Sequence, residues 1–360
     1  MWQRDAQTLI DSGWVRSLCD VSDVIIVADT LPDARPLLLS LLEKDEMRRC
    51  QSNIVIELTN RFDWMVSDNE AYYRMIRNLT LNPPRNLWWT ANNPFEEAFM
   101  RTRVGVVPNV TLLRSMGAWD VDHVKDRDGI LKRTFTMPKT RNFEELNLLN
   151  MVATINDTDH SNRPLVDHIY DFYCMPLARL PKRYGGPLAL LQYKAFLHIP
   201  YQTSVMKFYE NVAAGVPQII PSPRLLRQLS KSEVHHLFGT WLDKLEEASL
   251  FLFNPDFHRI AYDNHKLRGD KDDWEDLKRD YRATWTELSD FHRKEFEPFV
   301  YYFDSFAELA EMIRTPAEVF DWKNVRVEGP RYYARVKKQS LRTWGGIFEE
   351  MAYKDVRLRW

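Results

Sequence analysis

The chain has 360 residues, with 49 Lys and Arg against 51 Asp and Glu and a formal net charge of -2. The length suits two domains, and the charge balance speaks against a nucleic-acid-binding protein, which needs a basic excess for phosphate contacts. With 44% hydrophobic and 28% charged residues, wholesale disorder is excluded. Cys19, Cys50 and Cys174 are too few and too scattered for a disulfide framework or a zinc site.

In chain order, the start MWQRDAQTLIDSGW lacks the apolar core of a signal peptide. Short apolar runs then alternate with amphipathic stretches. Buried strands are expected at Asp23–Ala28, Asn53–Leu58, Asn86–Thr90 and Val104–Val107. Helices are expected at Pro36–Arg49, Asn69–Asn78 and Pro94–Arg101, with Pro36 and Pro94 at first helical positions, where a missing N–H costs nothing. The pattern fades into a charged, irregular stretch between Gly117 and Asn142. It resumes at Met151–Ile155, Ala195–Ile199, a helix near Met206–Ala214, a strand at Gln218–Ile220 and a further possible strand at Leu250–Phe253. The charged, aromatic-dotted stretch 255–298 reads as a solvated helical insertion. Helices at Ser305–Arg314 and about Tyr332–Met351 close the chain. No apolar run approaches the roughly 20 residues of a membrane span.

Strand–helix alternation on this scale implies an α/β protein with parallel sheets covered on both faces. The expected domains are 1–145, then 146–330 carrying the insertion, then a C-terminal helix over 331–360 packing back on them. Only 12 Gly are present, and no Gly-rich dinucleotide or P-loop motif can be assembled from them. In open α/β sheets ligands sit at the carboxyl ends of strands, so the residues of interest follow the strands.

One segment concentrates the chemistry: Phe196-Leu-His-Ile-Pro-Tyr-Gln-Thr-Ser-Val-Met-Lys-Phe-Tyr-Glu210-Asn-Val-Ala-Ala-Gly215-Val-Pro217-Gln-Ile-Ile-Pro221. It reads strand, polar loop, helix, tight turn, strand. The loop Tyr201, Gln202, Ser204 enters a helix N-terminus, where unpaired N–H groups and the macrodipole favour an anion such as a diphosphate. Lys207 and Glu210 are three apart and share a helical face; Lys would hold phosphate and Glu would accept ribose hydroxyls, with Asn211 beside them. Gly215 fits the left-handed helix end, and Pro217 keeps the helix from continuing. Upstream, Arg183 precedes Tyr184-Gly185-Gly186-Pro187, a glycine turn that would let backbone approach a diphosphate.

Lys207, Glu210, Gly215 and Pro217 together resemble the donor-binding block of GT-B glycosyltransferases, including exostosin-like and large retaining families. The resemblance is motif-grade over roughly 30 residues and architectural over most of the chain. It implies two Rossmann-like domains facing each other across a cleft, a nucleoside-diphosphate sugar donor with UDP or GDP as the expected nucleotide, and a glycan or other hydroxyl acceptor. Arg183, Tyr201, Gln202, Ser204, Lys207, Glu210, Asn211 and Gly215 form the expected donor site, without a metal or other cofactor. Gln202 stands where many retaining members carry a second Glu. Asp29 and Asp63, following the first two strands, are the candidate catalytic bases, with a loop-cap role as the alternative. The first domain shows four strands where the resemblance implies about six, so a longer protein is expected, soluble in this stretch and either cytoplasmic or the luminal part of a membrane-anchored chain.

Two rival readings remain at this level. Asp157 and Asp159 form a D-x-D after a strand, the pattern with which a metal-dependent GT-A transferase holds a divalent cation. Alternatively, the two-domain shell binds a glycan or partner without catalysis, through aromatics that make up 13% of the chain. Neighbouring His235 and His236 point about 100° apart on a helix and make a poor metal pair. Asn78, Asn109 and Asn156 head N-x-[ST] sequons, which matter only in a secretory lumen.

Overall fold

The computed structural model describes residues 3–28, 31–59, 62–63, 66–115, 151–155, 177–181, 184–200, 205–230, 288–316 and 322–354. They form two compact units, Met1–Arg114 with Gln339–Trp360, and Ser115–Lys338. Both are α/β, each built on a parallel sheet.

The first unit begins with two helices that the sequence reading does not anticipate, α1 (Gln3–Asp11) and α2 (Trp14–Asp20). There follow β1 (Val24–Ala28), α3 (Arg35–Ser40), β2 (Asn53–Leu58), α4 (Asn69–Leu81), β3 (Leu87–Ala91), α5 (Pro94–Val104) and β4 (Val110–Leu112). The strand order is β1-β2-β3-β4, with Ile54 of β2 in register with Ile25 and Leu87. The apolar run of β2 is buried almost throughout because strands flank it on both sides. Helix α4 buries Tyr72, Met75, Ile76 and Leu79, the 3–4 spacing of one helical face.

Two expectations are corrected here. The run Val104–Val107 is not a strand: Val104 ends α5, Gly105 caps it with φ 81°, and its N–H bonds the Arg101 carbonyl at 2.8 Å. The fourth strand comes later, at Val110–Leu112. The helix expected over Pro36–Arg49 stops at Ser40, and the chain turns back so that Arg49 donates to the Glu43 carbonyl at 2.6 Å. That turn delivers Cys50 to Cys19, and the two form a disulfide, the pairing that scattered cysteines did not suggest.

The second unit contains β5 (Val152–Ile155), β6 (Leu177–Leu180), a short helix Pro187–Leu190, β7 (Ala195–Leu197), the helix Met206–Ala214, β8 (Gln218–Pro221), the helix Pro223–Ser230, β9 (Val300–Phe303) and the helix Phe306–Arg314. The order is β6-β5-β7-β8-β9, all parallel. Strands β6 and β9 lie in stretches where no strand was expected; the expected strand Leu250–Phe253 lies outside the described residues.

The stretch 288–299, expected as the end of a solvated insertion, is core. Phe291, Phe296 and Phe299 are buried with Phe208, Tyr209 and Val212 of the helix Met206–Ala214. Two of its polar side chains are buried with partners: the Tyr209 hydroxyl donates to Asp290, and His292 Nε2 donates to the Pro221 carbonyl at 3.0 Å. The aromatic spacing, not the charge count, carried the information.

The last helix, Trp322–Lys354, starts ten residues earlier than expected and continues through Pro330. Its residues to Lys338 belong to the second unit; from Gln339 on, Ile347 and Met351 pack with Val55, Trp88 and Leu113 of the first.

Candidate functional site

The order β6-β5-β7-β8-β9 reverses direction between β5 and β7. At such a switch point the loops after the two strands diverge and leave a crevice at their carboxyl ends. Strand β7, with all three residues buried, leads there into His198, Ile199 and Pro200. The helix Met206–Ala214 then begins. Its N-cap is Val205, in extended conformation and with no side-chain oxygen to close the first N–H groups.

Beneath the helix lies a buried polar network. The amide oxygen of Gln218 lies 3.0 Å from His198 Nδ1 and also accepts from Asn211 Nδ2 at 3.2 Å, while Gln218 Nε2 donates to the Phe208 carbonyl at 3.3 Å. Because the amide oxygen only accepts, His198 must carry its proton on Nδ1. Burial, opposed by the Gln218 hydrogen bond and assisted by the charge of Lys207, pushes the His198 pKa down to about 3. The imidazole is therefore neutral at ordinary pH.

On the helix surface, Glu210 is half-buried, and that burial raises its pKa against the opposing effect of Lys207. Tyr184 is raised to about 12, first by burial and then by the charge of Glu210. Tyr184, Lys207, Glu210 and His198 are thus one electrostatic group, with Lys207 and Glu210 on one face as expected. Gly185 and Gly186, just after Tyr184, take φ 95° and 83°, backbone that needs glycine.

The other expected residues divide. Arg183, Tyr201, Gln202, Ser204, Asp29, Asp157 and Asp159 lie outside the described residues. Asn211 is fully buried; its Nδ2 donates to Gln218 and its Oδ1 has no partner among the described residues, so here it supports the helix from below. Gly215 caps the helix with φ 76°, and a Cβ there would stand 2.6 Å from the Arg326 carbonyl oxygen; its glycine is demanded by packing. In the first unit, Asp63 follows β2 and accepts a hydrogen bond from the Tyr73 hydroxyl at 2.7 Å.

Three groups were passed over in the sequence. His198 and Gln218 are single polar residues in apolar strand runs, a pattern that signals a buried hydrogen-bonded pair. Glu57 interrupts the apolar run of β2, and burial raises its carboxyl pKa, a property that suits a base. The small pocket lined by Ala91, Asn93, Pro94, Glu97, Val110 and Leu112, about 80 Å³, has room for water but not for a sugar ring.

Among the described residues there is no group of three or more His, Cys, Asp or Glu that could hold a metal ion, and no helix is long and apolar enough to cross a membrane. No known family model matches the chain, and no curated protein matches it either.

Proposed function

We propose that this chain is a GT-B-type glycosyltransferase that moves a sugar from a nucleoside-diphosphate sugar to a hydroxyl acceptor, with the second unit taking the donor. The observation that supports this reading best is the pair Lys207 and Glu210 on the helix that follows β7, beside the switch point of a parallel sheet. The raised pKa of Glu210 reflects a carboxylate paying for partial burial, which hydrogen bonds from ribose hydroxyls would offset.

In this reading the diphosphate lies at the N-terminus of Met206–Ala214. Lys207, Arg183 and the helix N–H groups neutralise charge as the leaving group departs, and fixed dipoles aimed at developing charge supply the main stabilisation. His198, held neutral and oriented by Gln218, contributes no charge of its own and anchors the end of β7. Asp63 or Asp29 deprotonates the acceptor. Turnover is then expected without a divalent ion.

Thermal melting with UDP, GDP, ADP and CMP, with and without EDTA, on wild type and Glu210→Ala, tests the reading. One nucleotide should stabilise the wild type by about 2–3 kcal/mol near saturation, survive EDTA, and lose most of its effect on the variant. A shift abolished by EDTA would turn the reading to a metal-dependent site at Asp157 and Asp159. No shift with any nucleotide would overturn it.

A further inference from the structure

Two features of the first unit, both outside the site described above, point to one modification. Cys19 at the end of α2 and Cys50 before β2 are joined and buried, at 7% and 1% exposure. Closing that bond removes two protons and two electrons from a pair of thiols; in secretory lumens a protein disulfide accepts them and is itself reduced to a dithiol, whereas cytosolic thiol pools oppose the oxidation. In the same unit, Asn109-Val110-Thr111 is an N-x-[ST] sequon, and Asn109 is exposed in the segment between α5 and β4.

We propose that Asn109 carries an N-linked glycan, attached in the oxidising lumen where Cys19 and Cys50 pair. The side-chain amide nitrogen of Asn109 attacks C1 of a polyprenyl-diphosphate-linked oligosaccharide. The N–C1 bond forms as the C1–O bond to phosphate breaks; the amide proton goes to a base of the transferring enzyme, and polyprenyl diphosphate leaves.

The placement favours Asn109 over the other described sequon. Asn78 lies within α4, where its Oδ1 accepts from Asn82 at 3.0 Å and the Thr80 hydroxyl donates to the Ile76 carbonyl at 2.9 Å, so the helix engages both groups. Asn109 immediately precedes β4, which ends the sheet order among the described residues and leaves Leu112 45% exposed. A hydrated glycan beside that strand shields an edge that would otherwise template pairing with another chain.

The test uses the chain recovered from the cells that make it. It is alkylated without reductant, then digested, and the Asn109 peptide is read by mass before and after enzymatic removal of N-glycans. The expected result is a glycan at Asn109 and no alkylation of Cys19 or Cys50. Asn109→Gln and Thr111→Ala should each abolish the mass change of that peptide on N-glycan removal, while Thr111→Ser, which keeps the sequon, should retain it. A bare Asn109, or free Cys19 and Cys50 thiols, would overturn the proposal. The glycosyltransferase reading is unaffected by either outcome.

Discussion

His198 illustrates how a single side chain couples burial to pH. Its folded pKa, about 3, lies far below the ordinary 6.5. The unfolded chain therefore takes up a proton that the folded one refuses. The contribution is complete above the ordinary value and declines as pH falls toward the folded value, by about 1.4 kcal/mol per pH unit. Unfolding free energies from urea melts at about pH 7 and about pH 5 should differ by about 2 kcal/mol through this residue, a difference that His198→Gln should erase. Asp68 works with the opposite geometry. Two hydrogen bonds from the buried Arg35 guanidinium, at 2.6 and 2.7 Å, hold its pKa below the ordinary 3.8. Its contribution is present above that ordinary value and is lost only as pH falls through the lower folded one, beneath most of the His198 window. Asp68→Asn takes the counter-charge from a buried guanidinium and should cost about 3 kcal/mol at neutral pH, read by denaturant melts. At this scale the sequence was partly legible. Lys207 and Glu210 stood out because helical spacing pairs them, but His198, Gln218 and Arg35 did not, since their partners come from distant elements.

Elements were most legible where one local pattern acted alone. Strands β1, β2 and β3 and helices α4 and α5 follow from apolar runs, 3–4 spacing and a Pro at the first turn. The misses arose where tertiary packing overrode local pattern. Val104 looked like strand because it is β-branched, yet Arg101, Arg103 and Gly105 make it a helix end. Residues 288–299 looked solvated because their charges were counted and their buried partners were invisible. The helix Met206–Ala214 and the final helix approach closely through two glycines. A Cβ at Gly215 would meet the Arg326 carbonyl oxygen at 2.6 Å, and one at Gly329 would meet the Val212 carbonyl oxygen at the same distance. Pro330 cannot donate the N–H that a helix would return to the Arg326 carbonyl, which lies against Gly215. Gly13 offers the control, because its φ is 77° but nothing lies within 4 Å of its Cβ position. Gly13→Ala should cost about 1–2 kcal/mol, the conformational term alone. Gly215→Ala should cost clearly more, since backbone must also shift; comparing the two urea curves separates the terms.

At the scale of the whole molecule, the parallel α/β character of both units was legible, because strand–helix alternation is a local signal repeated along the chain. The disulfide was not, since pairing depends on a turn that composition does not encode. Its loop of roughly 30 residues implies about 3–4 kcal/mol of stabilisation through the unfolded chain. Reductant, or Cys19→Ser with Cys50→Ser, should therefore lower the melting of the first unit while leaving that of the second in place, as two calorimetric transitions would report. The passage of the last helix from one unit to the other has a consequence in time. Ile347 and Met351 complete a cluster with Val55, Trp88 and Leu113, so the sheet β1 to β4 waits for residues made only after the whole of the second unit. During synthesis the first unit must hold its place unfinished while all of the second emerges, and a chain stopped between Lys338 and Ile347 would injure the sheet made before the second unit, not the one made last.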